Sequence, residues 1–151
     1  MRKCFLTGCY SGLLPKTPGT WGSLLGAITG YLITLILPQS TLFLLAVLIT
    51  VIAIKEINSF EKAGGPHDDP SIVIDEIAGM WIAISLLPST HPVWVAVAFL
   101  LFRYFDITKP SYIGRLDKLE GGLGVMADDL LAGVVAALCT GLLYVAAQQL
   151  L

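Results

Sequence analysis

The chain has 151 residues, enough for one domain. Hydrophobic residues make up 56% and charged residues 13%, against roughly 45–50% and 25% in a soluble domain, and mean hydropathy is +0.81. With a net charge of −2, this excludes a disordered chain, a nucleic-acid-binding domain and a highly charged coiled coil, and leaves an integral membrane protein as the expected class.

The N-terminus carries Arg2 and Lys3, but Cys4–Leu14 holds two glycines, a tyrosine and a serine and ends at Pro15. It does not read as a cleaved signal. The three cysteines, Cys4, Cys9 and Cys139, cannot form a disulfide framework and are expected to be unpaired small residues in a reducing compartment.

Three charge-free stretches follow: 17–54, 77–102 and 130–151. A spanning helix needs about 20 apolar residues. Pro38-Gln39-Ser40 divides the first stretch into spans near Trp21–Leu37 and Thr41–Lys55. Pro88-Ser89-Thr90-His91-Pro92 interrupts the second, giving about Ser71–Leu87 and Val93–Ile107 if the helices extend into the charged flanks. The third gives a fifth span, about Asp129–Gln148. The expected fold is all-α: one polytopic membrane bundle over residues 1–151.

Lysine and arginine occur only at the N-terminus, in 55–62 and in 103–118, whereas both turns and the C-terminus lack charge. Five spans place the charged segments on one side, and the positive-inside rule makes that side cytoplasmic. A soluble bundle should instead show a polar stripe on every helix, and Thr41–Ile54 offers only Thr41 and Thr50.

The chemistry concentrates on the charged side. Asp68, Asp69, Asp75, Glu76, Asp106, Asp128 and Asp129 sit where loops enter spans. Acid in a first helical turn is favourable by about 0.3–1 kcal/mol, which accounts for Asp128 and Asp129 as cap residues. It does not account for Asp75 and Glu76, which follow Ile72-Val73-Ile74 and enter a span. Acids at that depth are costly and by default functional. Such an oxygen-rich cluster suits Mg²⁺, which also takes phosphate as a ligand. Lys16 precedes a Pro18-Gly19-Thr20 turn that opens a helix, with Thr20 as expected N-cap, an arrangement suited to an anion. Gly121-Gly122-Leu123-Gly124 reads as a turn or as backbone approaching a ligand. Trp21 reads as an interfacial anchor, and His67 stays outside the expected site.

Thiolate phosphatase chemistry is excluded, because the positions six after the cysteines are Tyr10, Pro15 and Val145 rather than arginine. There is no Asp-x-Asp pair. Carboxylate, metal and water remain. The competing class is a small ion or solute transporter using the same acids, whose site would lie near the midplane on broken helices. A non-catalytic assembly subunit gives no reason for three acidic motifs facing one compartment.

Three segments carry a resemblance to a known family: Gly12–Ser23; Asp69–Gly79, reading Asp-Pro-Ser-Ile-Val-Ile-Asp-Glu-Ile-Ala-Gly; and Phe105–Pro110 continuing through Gly121–Gly133. They extend from residue 12 to 133 and resemble the phosphatidylglycerophosphatase A family. The resemblance implies a bacterial cytoplasmic-membrane enzyme that uses Mg²⁺ to hydrolyse the membrane lipid phosphatidylglycerophosphate to phosphatidylglycerol and phosphate, with no nucleic-acid partner. Both lines together assign catalysis to Asp75, Glu76, Asp106, Asp128 and Asp129, with Mg²⁺ held by Asp75, Glu76, Asp128 and Asp129. Lys16, Lys109 and the helix start at Thr20 would bind the phosphomonoester. Direct attack of water and an aspartyl-phosphate intermediate both stay open.

Overall fold

The computed structural model describes residues 2–67, 69–110, 112–116 and 118–150, so Asp68 lies outside the described residues. All regular structure among them is helical: α1 (Arg2–Leu6), a 3₁₀ turn (Ser11–Leu13), α2 (Pro18–Ile36), α3 (Gln39–Lys62), α4 (Ile74–Ser85), α5 (Pro92–Thr108), α6 (Ile113–Leu116) and α7 (Gly121–Leu150). Prolines set three of the starts. Pro18 and Pro92 occupy first-turn positions of α2 and α5, and Pro38 precedes α3. In a first turn the missing N–H costs nothing, because no intrahelical acceptor exists there.

The axis of the bundle is α4, which packs against α2, α3, α5 and α7. Its Ala78, Met80, Ala83 and Ile84 are fully enclosed. Gln39, at the start of α3, donates from Nε2 to the carbonyls of Ile84 (3.0 Å) and Leu87 (2.9 Å). That ties the start of α3 to the turn that follows α4, where the Ile84 carbonyl also accepts from the Leu87 N–H at 3.2 Å. At the other end, the Val73 N–H donates to the Leu6 carbonyl at 2.9 Å, tying α1 to the entrance of α4.

Solvent-facing chemistry is inverted relative to a soluble bundle. Ile28, Leu32 and Leu35 of α2, Leu44, Leu48 and Val51 of α3, and Leu138 and Leu142 of α7 are all exposed. Inside the bundle, Ser23, Thr29, Thr50 and Thr140 return their hydroxyls to carbonyls of their own helices at 2.7 Å. Apolar surface outside and satisfied hydroxyls within suit a hydrocarbon solvent. Among the described residues α2, α3 and α7 are long and apolar enough to cross a membrane.

The element limits correct two expectations. The stretch expected as a span over Ser71–Leu87 is a helix of only 12 residues, about 18 Å at 1.5 Å per residue. The last helix begins at Gly121 rather than near Asp129. The glycine segment is therefore the first turn of α7, and Asp128 and Asp129 lie two turns inside it rather than capping it.

Candidate active site

Asp75 and Glu76 occupy the first turn of α4. One carboxylate oxygen from each, with one from Asp129 of α7, forms a group whose members all lie within 4.8 Å of one another. The helices meet this closely because of two glycines. Gly79 lies four residues after Asp75 and Gly133 four after Asp129, so each sits one turn along from its acid. A Cβ on Gly79 would stand 2.5 Å from the Asp129 carbonyl oxygen, and one on Gly133 would overlap the Gly79 carbonyl. Bare backbone against bare backbone is how apolar helices approach most closely, and here it brings Asp129 to the N-terminus of α4. The Asp75 Oδ1 accepts from the Glu76 N–H at 3.0 Å.

The rest of the wall comes from α2, α5 and the segment before α4. Gly19, in the first turn of α2, faces Glu76: a Cβ there would lie 2.5 Å from Oε1. Arg103 on α5 forms an ion pair with Asp106 one turn later and donates to Thr20 Oγ1 at 3.2 Å and Ser23 Oγ at 3.3 Å. It thereby fixes the end of α5 to the start of α2. Lys109 ends α5 in a left-handed conformation (φ 42°). Its Nζ donates to Asp128 Oδ2 at 2.8 Å.

These groups enclose a recess of about 180 Å³ whose walls include Asp69, Asp75, Glu76, Asp106, Asp128 and Asp129, with Lys109 and His67. Asp69 accepts through Oδ1 from the Ser71 N–H and hydroxyl, which shapes the turn into α4. His67 Nδ1 meets Glu61 Oε1 at 2.6 Å. Six carboxylates line the wall; Asp106 pairs with Arg103 and Asp128 with Lys109. Glu76 Oε2 is buried and has no hydrogen-bond partner among the described residues. Hard oxygen donors gathered in this way fit a hard divalent cation, which would offset the repulsion and satisfy that oxygen.

The expected site residues divide accordingly. Asp75, Glu76 and Asp129 converge on one point; Asp106 and Asp128 line the same recess, each paired with a cation. Thr20 is not the N-cap of α2, a position held by Thr17, and its hydroxyl is turned to Arg103. Lys16 is exposed, with φ 63°, and the recess is lined from its segment by Pro18 and Gly19. Arg103 and the packing of the glycines at 79 and 133 were not read from sequence; Gly19 was read only as part of a helix-opening turn. An arginine beyond an apolar run and glycines one turn after acids are visible there, but their partners lie on other helices.

The model of the family described as phosphatidylglycerophosphatase A matches residues 4–144. The chain belongs to that family. Its relatives include the phosphatidylglycerophosphatase A of Escherichia coli, 42% identical over 91% of this chain and 78% of the relative. That of Haemophilus influenzae is 39% identical over 87% and 81%. A candidate phosphatidylinositol-3-phosphatase of Bacteroides thetaiotaomicron is 42% identical over 85% and 84%. No solved structure matches the chain. The match covers every wall of the recess, from Pro18 to Asp129.

Proposed function

We propose that this chain is a phosphatidylglycerophosphate phosphatase of the bacterial inner membrane, working at the cytoplasmic face. Membership of the family supports the reaction. The observation that carries the site is the convergence of Asp75, Glu76 and Asp129 beside Lys109 and Asp128. Mg²⁺ fits the three converging carboxylates, and when bound it supplies Lewis-acid polarisation of a phosphoryl oxygen and a more acidic water. Lys109 neutralises the phosphomonoester as it enters. Asp128, held beside Lys109, takes the proton of the attacking water. Water oxygen bonds to phosphorus, the P–O bond to glycerol breaks, and the leaving alkoxide takes up the proton held by Asp128 to become the hydroxyl of phosphatidylglycerol. Arg103 and Asp106 position the wall between α2 and α5.

In this reading α2, α3, α5 and α7 cross the bilayer, and α4 completes a fifth pass with its non-helical flanks. The acids lie where α4 begins, at one end of the bundle. A transporter would hold such groups near the midplane on broken helices.

The test is phosphate release by purified protein in mixed micelles with Mg²⁺, from phosphatidylglycerophosphate and from phosphatidylinositol 3-phosphate. Release from the first, with little from the second, is expected. No release from the first, or equal release from both, overturns the assignment.

A further inference from the structure

At about 180 Å³ the acidic recess falls below the roughly 300–1,000 Å³ of ordinary small-molecule pockets. It has room for a phosphoryl end and an ion, and the remainder of a lipid must lie elsewhere. A second groove, of about 540 Å³, opens between α6 and α7 and presents only apolar surface. Ile113 and Leu116 form one wall, and Leu131 and Val135 the other. The two sites are continuous along the chain in two places. Lys109 lines the recess and Pro110 lines the groove. On α7, Asp128, Leu131 and Val135 follow at spacings of three and four, which places them on one helix face. From Asp128 that face leads away from the charged end, along a helix suited to hydrocarbon. Arg115 stands beside the groove with its guanidinium over the Tyr112 ring, 5.1 Å from the centroid, and leaves the groove surface apolar.

We propose that the α6–α7 groove is the acyl-chain subsite: one fatty chain of the substrate lies along Leu131 and Val135 while its phosphomonoester reaches Lys109 and the carboxylates. This rests on the lipid-phosphatase reading above. It makes α6 a specificity element, because that helix supplies the groove wall and nothing to the carboxylate trio. Chain contact adds binding energy in proportion to the apolar area covered. Its loss therefore shows in the concentration dependence for the lipid and not in the chemistry.

The experiment uses the full-length protein in mixed micelles. Phosphate release is measured from the long-chain lipid and from its water-soluble deacylated form, glycerophosphoglycerophosphate. Val135→Phe, which fills the groove, should raise KM for the lipid by about tenfold or more, an effect of roughly 1.4 kcal/mol. The deacylated compound should be hydrolysed by Val135→Phe and the parent at equal rates. Leu116→Phe, from the opposite wall, should reproduce the split. Equal loss on both substrates in both variants, or no change on either, overturns the subsite. If the parent itself releases no phosphate from either compound, the lipid-phosphatase reading fails instead, which is a different outcome.

Discussion

Asp75, Glu76 and Asp129 gain little from being close unless a positive charge joins them. Neutralising one relieves repulsion while removing a ligand. Glu76→Gln and Asp129→Asn should therefore lower turnover by about 10²–10³-fold, the size expected for losing one strong electrostatic stabiliser. In chelator they should melt no lower than the parent. Mg²⁺ at about a hundred times its Kd should stabilise the parent by roughly 2.7 kcal/mol and the variants by much less; thermal unfolding with and without the ion reads this. Lys109→Ala should raise KM, because a phosphate contact made in ground and transition states alike is lost, and lower kcat, because the contact that holds Asp128 in place goes with it. For Lys16, which is exposed and does not line the recess, an alanine should cost about the 1 kcal/mol of one cation near an anionic lipid surface. Its kinetics on a short-chain substrate should be unchanged. The acids were legible from sequence because charge in an apolar chain stands out. Arg103 was not, since only the fold shows that it joins α5 to Thr20 and Ser23 of α2.

At the element scale, the Gly79–Gly133 contact sets the distance between α4 and α7. Gly79→Ala or Gly133→Ala must push the backbones apart, at a cost of about 1–3 kcal/mol for overpacking. Because Asp75 and Asp129 ride on the same two helices, activity should fall with stability, and Mg²⁺ should no longer protect. Gln39→Ala is the contrasting case. It removes the donor to Ile84 and Leu87 at the far end of α4; the Ile84 carbonyl keeps the Leu87 N–H, and losing a typical hydrogen bond costs about 0.5–1.5 kcal/mol. Turnover per folded molecule should hold, as read from activity normalised to the folded fraction. Proline and charge marked most helix ends in the sequence. The start of α7 escaped because its first turn, Gly121–Gly124, has the composition of a loop and is helical only where Asn58 Oδ1 accepts from the Gly122 N–H at 2.8 Å. The shortness of α4 escaped because an apolar run does not reveal where helix gives way to extended chain. Val73 ends that run by bonding to Leu6, 67 residues away in sequence.

For the whole molecule, an apolar exterior and a charge-bearing end give an orientation. A reporter fused after Leu151 should be active only outside the cytoplasm, and one placed in the 55–67 segment only inside; both active on the same side would rule out five passes. The all-helical architecture followed directly from the distribution of charge, whereas the wrapping of four helices around α4 did not, since it depends on which small residues face one another. If Asp75, Glu76 and Asp129 form a divalent-cation site, a titration of purified parent and Glu76→Gln proteins with Mn²⁺, followed by electron paramagnetic resonance, should show it. One site per chain is expected in the parent, displaced by Mg²⁺ and absent or greatly weakened in the variant. Equal binding by both proteins, or none by the parent, would contradict it.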